Sequence, residues 1–190
     1  MIRKVFKFST MLATLGLAAV AYAADKHDHE HEAVQINEAV AVLVPMKNSG
    51  VSGTILLKQE KGYVLVTGEV SGLKPGKHGF HIHMFGDLRA ADGISAGGHY
   101  NPHGHPHGGP ESKEKHEGDL GNIDANDKGV ATINAKADHV ELHHIVGRSL
   151  VVHGDADDLK SQPAGNAGPR IAVGVIGLAE VKAPAAATKK

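Results

Sequence analysis

The stretch from Gly86 to Asn126 most narrows what this chain can become. It is rich in Gly, Pro, His and charge, it sustains no period of 2 or 3.6, and it interrupts a regular series of short β-branched runs. Such a stretch reads as loop, and loops of this length are functional or disordered. Before it, Val34–Pro45, Val51–Glu60, Tyr63–Leu73 and Gly79–Phe85 alternate or cluster Val, Ile and Leu between Gly, Pro, Asn and Ser turns. After it, Gly129–Ala135, Val140–Val146, Ser149–His153 and Arg170–Glu180 do the same, the last preceded by a Gly- and Pro-containing loop from Gly154 to Pro169. Eight strands without an amphipathic helix predict an all-β fold, a Greek-key β-barrel or sandwich of immunoglobulin-like type. The two long loops then lie outside the barrel and are free to build a site.

The ends read differently from this body. Met1 to Lys7 is basic, Met11 to Val20 is mostly apolar, and Ala21-Tyr22-Ala23 offers small residues for cleavage, so residues 1–23 are expected to be a secretory signal peptide rather than a membrane anchor. Export to a periplasmic or extracellular space follows, with no stable membrane insertion. Residues 24–32, with His27, His29 and His31 between acids, read as a His-rich mobile arm, residues 33–181 as one domain, and residues 182–190 as a mobile tail. Loss of Arg3, Lys4 and Lys7 leaves the remainder more acidic, and nothing in the charge pattern points to nucleic acid. The chain has no Cys, so any metal must be held by nitrogen and oxygen.

Fifteen histidines are the compositional outlier. In His81-Ile82-His83 the two imidazoles lie two apart, on one face of a strand. Across the long loop stand His99, His107 and His116, with Asp119 three residues after the last. Three imidazoles and a carboxylate make a closed four-ligand set of the kind that suits zinc. His153, from a later strand, completes a second set with His81, His83 and a shared His99, and neutral imidazole suits copper as well as zinc. A shared His99 uses both ring nitrogens, so it must be deprotonated when it bridges, which makes it a proton carrier.

Those residues stand within longer strings: Gly79-Phe80-His81-Ile82-His83, Ser95-Ala96-Gly97-Gly98-His99-Tyr100-Asn101-Pro102, Gly118-Asp119-Leu120-Gly121-Asn122-Ile123, Gly147-Arg148-Ser149-Leu150-Val151-Val152-His153 and Gly165-Asn166-Ala167-Gly168-Pro169-Arg170. Through them the body from about Val40 to Glu180 resembles the copper/zinc superoxide dismutase family. The resemblance implies copper (Cu2+/Cu+) on His81, His83, His99 and His153, and Zn2+ on His99, His107, His116 and Asp119. It implies Asp157 as the carboxylate linking His81 to His107, with Asp158 the more exposed alternative. It further implies Arg170 as a guide for the superoxide anion, and His99 as the group that takes up and returns a proton while two superoxide anions and two protons become oxygen and hydrogen peroxide. A metal-buffering protein on the same fold without turnover is the alternative.

Several positions depart from the family pattern or stand outside it. The intrasubunit disulfide of the family cannot form, its two positions being Gly93 and Val173, although Gly93 still offers a backbone carbonyl to Arg170. The loop Lys160–Ala164 is short, and Asp155 stands where a steering lysine is common. Phe85-Gly86, Ile145-Val146-Gly147 and Val175-Ile176-Gly177-Leu178 resemble dimer-interface positions, which implies a homodimer. His78 is expected to be a structural hydrogen-bonding residue, and His103, His105, His139, His143 and His144 to be solvated rather than ligating.

Overall fold

A computed structural model describes residues 36–180. The expected signal peptide 1–23, His-rich arm 24–32 and tail 182–190 lie outside them. Eight strands form: β1 Glu38–Pro45, β2 Ser52–Glu60, β3 Tyr63–Ser71, β4 Gly76–His83, β5 Asp119–Ala125, β6 Ala131–Asp138, β7 Ser149–His153 and β8 Arg170–Leu178. They make one all-antiparallel sheet in the order β5-β4-β7-β8-β1-β2-β3-β6. Its two edges, β5 and β6, lie against each other, so the sheet is nearly closed into a barrel.

The period of 2 sets what fills it. In β1, Ala39, Ala41 and Leu43 point inward while Val42 and Val44 face out; Ile55 and Leu57 of β2, Val64, Val66 and Val70 of β3, and Ala131, Ile133 and Ala137 of β6 continue the same interior. β4 and β7 break the alternation because they are covered on both faces. Phe80, Ile82, Leu150 and Val152 enter the barrel core, whereas His81 and His83 leave β4 on the opposite face, beneath the loops. On that outer face Val151 and Val173 pack with Met46 and Ala96 in a small second core. The barrel therefore supplies a rigid wall, and the loops roof the two histidines in.

Two expected elements are corrected. Val140–Val146 is not a strand: Leu142–Ile145 forms one helical turn, with Leu142 and Ile145 buried and His143 and His144 exposed. Its buried pair is spaced i, i+3, which is helical and not alternating. Conversely, β5 emerges from the far end of the stretch assigned to loop. Gly121 and Asn122 mask the alternation that buries Ile123 and Ala125, and the strand pairs only with β4, across a register shift between Gly79 and His81. One strand lost and one gained leave the count at eight.

Because Ile82 is fully buried, its truncation leaves a cavity in a wall that also carries His81 and His83. Ile82→Ala is expected to lower stability by about 2–5 kcal/mol in denaturant unfolding. Thr132→Ser on the exposed face of β6 should change it by no more than about 0.5 kcal/mol.

Candidate metal centre

Two clusters of ligand-type side chains lie beneath the loops, His81, His83, His99 and His153 in one and His99, His107, His116 and Asp119 in the other, all buried. Four segments build them. His81 and His83 come from β4, and His153 from the end of β7, where the ladder to β8 shifts register. His99 is held against β4 by an isolated bridge to His83. His107 and His116 come from the loop, and Asp119 opens β5.

Backbone carbonyls and two carboxylates orient the rings. His83 Nδ1 donates to the Gly97 carbonyl at 2.8 Å and His153 Nδ1 to the Gly168 carbonyl at 3.3 Å. A carbonyl only accepts, so these contacts put the proton on Nδ1 and leave both Nε2 atoms with lone pairs, 3.3 Å apart. His81 turns Nε2 to Asp157 at 2.8 Å, which leaves its Nδ1 buried with no partner. His99 directs Nδ1 to Asp119 at 2.7 Å, and its Nε2 is likewise buried with no partner. Four lone pairs thus meet in a pocket with no donor for them among the described residues, an arrangement that a cation satisfies.

The second cluster gathers on a single oxygen. Oδ1 of Asp119 is 2.7 Å from His99 Nδ1, 3.0 Å from His107 Nδ1 and 3.2 Å from His116 Nδ1. His107 Nδ1 lies within ion-pair distance of it, yet without the alignment of a hydrogen bond. Oδ2 is occupied by the backbone N–H groups of Gly108 and His116, each at 3.0 Å, so the carboxylate cannot turn away. Three imidazoles and one carboxylate oxygen fit a four-coordinate zinc-type ion.

Asp157 joins the two clusters. Its Oδ2 accepts from His81, its Oδ1 meets His107 Nε2 at 2.9 Å, and the residue is buried. Asp158 is exposed and bonds instead to Ser161 and Asn166. Three further residues that sequence reasoning passed over make this bridge possible. Asn122 clamps the Asp157 backbone twice, donating to its carbonyl at 2.9 Å and accepting from its N–H at 2.8 Å. Gln162 does the same for His107, at 2.9 and 2.8 Å. Gly165 has φ +64, and a Cβ there would run into Asp157 Oδ1 and His107 Nε2. Asn122 stood inside a quoted motif; Gln162 carried no signal at all.

Burial and partners divide the imidazoles. Burial holds the His81 pKa down to about 4, against its bond to Asp157. It holds His153 down to about 3, with His81 adding to the effect, and His83 well below the usual range. These rings are neutral at physiological pH, as ligands must be. His107 goes the other way: burial opposes its charge, but the close Asp119 carboxylate and the bond to Asp157 outweigh it and raise the pKa to about 9. Asp119 and Asp157, although buried, are held far below the usual carboxylate range by the same histidines.

Arg170 lies at the rim, its guanidinium donating to the carbonyls of Gly93 and Gly97. It lines a cleft with Lys47, Asp92, Ile94, Gly168 and Pro169. The expected bond to Gly93 forms without a cysteine there. His78 is buried between the carbonyls of His153 and Lys74, at 2.8 and 2.9 Å, in the structural role expected of it.

A family model described as copper/zinc superoxide dismutase (SODC) matches residues 51–176. That span contains both clusters, Asp157 and Arg170.

Gly165→Ala is expected to push Asp157 off His107 and to weaken metal retention by at least about tenfold, the usual lower cost of disturbing a residue that orients a ligand. Gly62→Ala is the control: its φ is +89 but nothing lies near its Cβ. Both variants carry backbone strain of about 1–2 kcal/mol, and only Gly165→Ala should lose metal in a chelator challenge followed by elemental analysis.

Proposed function

The chain belongs to the copper/zinc superoxide dismutase family, and from that premise we propose that it converts two superoxide anions and two protons to oxygen and hydrogen peroxide. The observation that carries this reading is His99, whose two ring nitrogens face two different ligand clusters. Copper held by His81, His83, His99 and His153 would supply one-electron exchange with superoxide, beside zinc held by His99, His107, His116 and Asp119.

His99 serves both clusters only as a deprotonated ring. Its Nε2 is shielded from bulk water and, when it carries no metal, is a base that would hold a proton. A proton held there would pass on to peroxide, the reduced product. One of the two protons consumed per cycle is thereby stored at a fixed atom, and the other comes from solvent. Asp119 Oδ1 faces Nδ1 of the same ring at 2.7 Å, which fixes the ring's position between the clusters.

Arg170 is proposed as the anion guide. Its two carbonyl bonds fix the guanidinium plane, and a guanidinium has five donors, so others remain to meet a small anion. Burial lowers its hold on its proton and Asp92 opposes that, yet an arginine stays charged in this range. A local positive field is needed because the chain as a whole carries a formal net charge of −1.

Export is part of the proposal and rests on the sequence of residues 1–23. A homodimer is proposed as well. Phe85 and Leu178 are 56% and 60% exposed, and Val175 lies beside Gly86, giving an apolar face. Ile145 and Ile176 were expected in that face and are excluded from it, since both are fully buried in the core. Phe85→Glu with Leu178→Glu should halve the sedimenting mass; an unchanged mass would remove this face as the interface.

A dismutase assay with metal analysis tests the main reading against the non-catalytic buffer. Two metals per chain with cyanide-sensitive turnover support it, and bound metal without turnover supports the buffer. Arg170→Ile should slow turnover by about tenfold or more, the scale of electrostatic guidance, at unchanged metal content.

A further inference from the structure

A further concentration of imidazole and carboxylate lies outside the paired clusters. A cavity of about 510 Å³ opens between the loop that carries His107 and His116 and the turn after β6, with His103, His105, Glu117, Asp138 and His139 among its lining. Glu117 is its anchor. Only 13% of this side chain is exposed, and its Oε1 is 3.3 Å from His103 Nε2. Its Oε2 is shut off from solvent and has no hydrogen-bond donor among the described residues. A buried carboxylate oxygen left in that state costs roughly 1–3 kcal/mol or more unless a cation meets it.

His105 lines the same cavity with one ring nitrogen unused. Its Nδ1 donates to the Lys115 carbonyl at 3.2 Å, which fixes the proton on Nδ1 and leaves the Nε2 lone pair free. Asn101 pins the backbone beside it, accepting from the His105 N–H at 3.0 Å and donating to its carbonyl at 2.9 Å. The His103 and His105 rings are 5.8 Å apart between centroids.

We propose that this cavity is a third metal site, taking a zinc-type divalent cation through Glu117, His103 and His105. The 3.3 Å between Glu117 Oε1 and His103 Nε2 is the edge of a tetrahedron whose bonds are about 2.0–2.1 Å, the lengths zinc makes to nitrogen and oxygen. Imidazole with a single carboxylate suits zinc or copper and not calcium or magnesium, which take oxygen shells. His105 joins the pair when its ring turns from the Lys115 carbonyl into the cavity, and His139, in the same cavity, can supply a fourth donor. Lys113 and Lys115 also line the cavity, but the ion-pair partner of Glu117 among the described residues is His103. Because the His103 side chain is 66% exposed, the site fills from solvent and exchanges more readily than the buried clusters. Glu117 stands between His116 and Asp119, so an ion here also stiffens the segment that carries two residues of the zinc-type cluster. The site does not depend on turnover, and its test reads binding.

Full-length protein loaded with copper and zinc, verified at two ions per chain, would be titrated with Zn2+ by calorimetry. His27→Ala, His29→Ala and His31→Ala would be present in every sample so that the N-terminal arm contributes no imidazole. One further ion per chain is expected, and since disturbing an orienting residue already costs about tenfold, removing direct ligands in His103→Gln with His105→Gln should weaken that ion by at least as much. His143→Gln with His144→Gln should leave it unchanged. As a second reading, substoichiometric Co2+ should broaden the resonances of residues 103, 105 and 117 first. No third ion, a third ion indifferent to His103→Gln with His105→Gln, or broadening confined to residues 141–144 would each overturn the proposal.

Discussion

The Asp157 carboxylate is the constraint on which the rest of the site depends. One buried group accepts from His81 on the barrel wall and from His107 in the loop, at 2.8 and 2.9 Å, and so ties a strand position to a loop position that is distant in sequence. Its negative charge is tolerated because two imidazoles and the Leu159 N–H satisfy it. It is held in place by the Asn122 clamp and by the absence of a side chain at Gly165. Every distance within the two clusters presupposes that this one carboxylate cannot move. The barrel supplies stiffness, but the orientation of the rings is set by charge and hydrogen bonding over a few ångströms.

The missing cross-link shows how the same loop is held by other means. Gly93 and Val173 are still neighbours: a Cβ on Gly93 would come to 3.0 Å from Val173 Cγ2 and 3.4 Å from Arg170 Cβ. Where relatives are expected to have a covalent bond worth about 2–4 kcal/mol, this chain has van der Waals contact, a small apolar cluster of Met46, Ala96, Val151 and Val173, and the two bonds from Arg170 to loop carbonyls. Gly93, at φ 72, also lets the chain turn into the short helix Ile94–Ala96, which a larger residue would resist. The arginine at the rim therefore has a structural task as well as the proposed electrostatic one, which is why a loss of turnover on its replacement is informative only beside metal content.

Much of the site was legible because its chemistry is written in residue type and its geometry in period. His81 and His83 alternate on a strand, and the ordered His and Asp positions that follow have few other uses in a chain without cysteine. The strands around them were legible wherever one face is buried and the other is not. Legibility failed where local pattern and tertiary role part. β5 is an edge strand whose pairing is imposed by β4, and its Gly and Asn hide the alternation. Leu142 and Ile145 are spaced for a helix, but a single turn is too short to show a period. Gln162 and Glu117 were silent for another reason: a polar side chain in a loop shows its value only when the loop is folded against its partner.

The two clusters differ in how they balance charge, and this bears on what each can do. His81, His83 and His153 are neutral rings turned inward by carbonyls and by Asp157, so the cluster that includes them offers lone pairs and no countercharge of its own. An ion there would find no carboxylate among its ligands to offset its charge. The other cluster has Asp119 at its centre, and His107 is held at a pKa of about 9 by that carboxylate and by Asp157. A cation entering it must displace a proton, after which the carboxylates offset its charge, and the result is a closed and electrostatically quiet site. His99 is the only ring that belongs to both. It sits at the boundary between a cluster of neutral rings and one centred on a carboxylate, with its Nε2 turned away from Asp119 and its Nδ1 turned to it. The asymmetry of the two charge environments, more than the number of histidines, is what distinguishes the two clusters that share this ring.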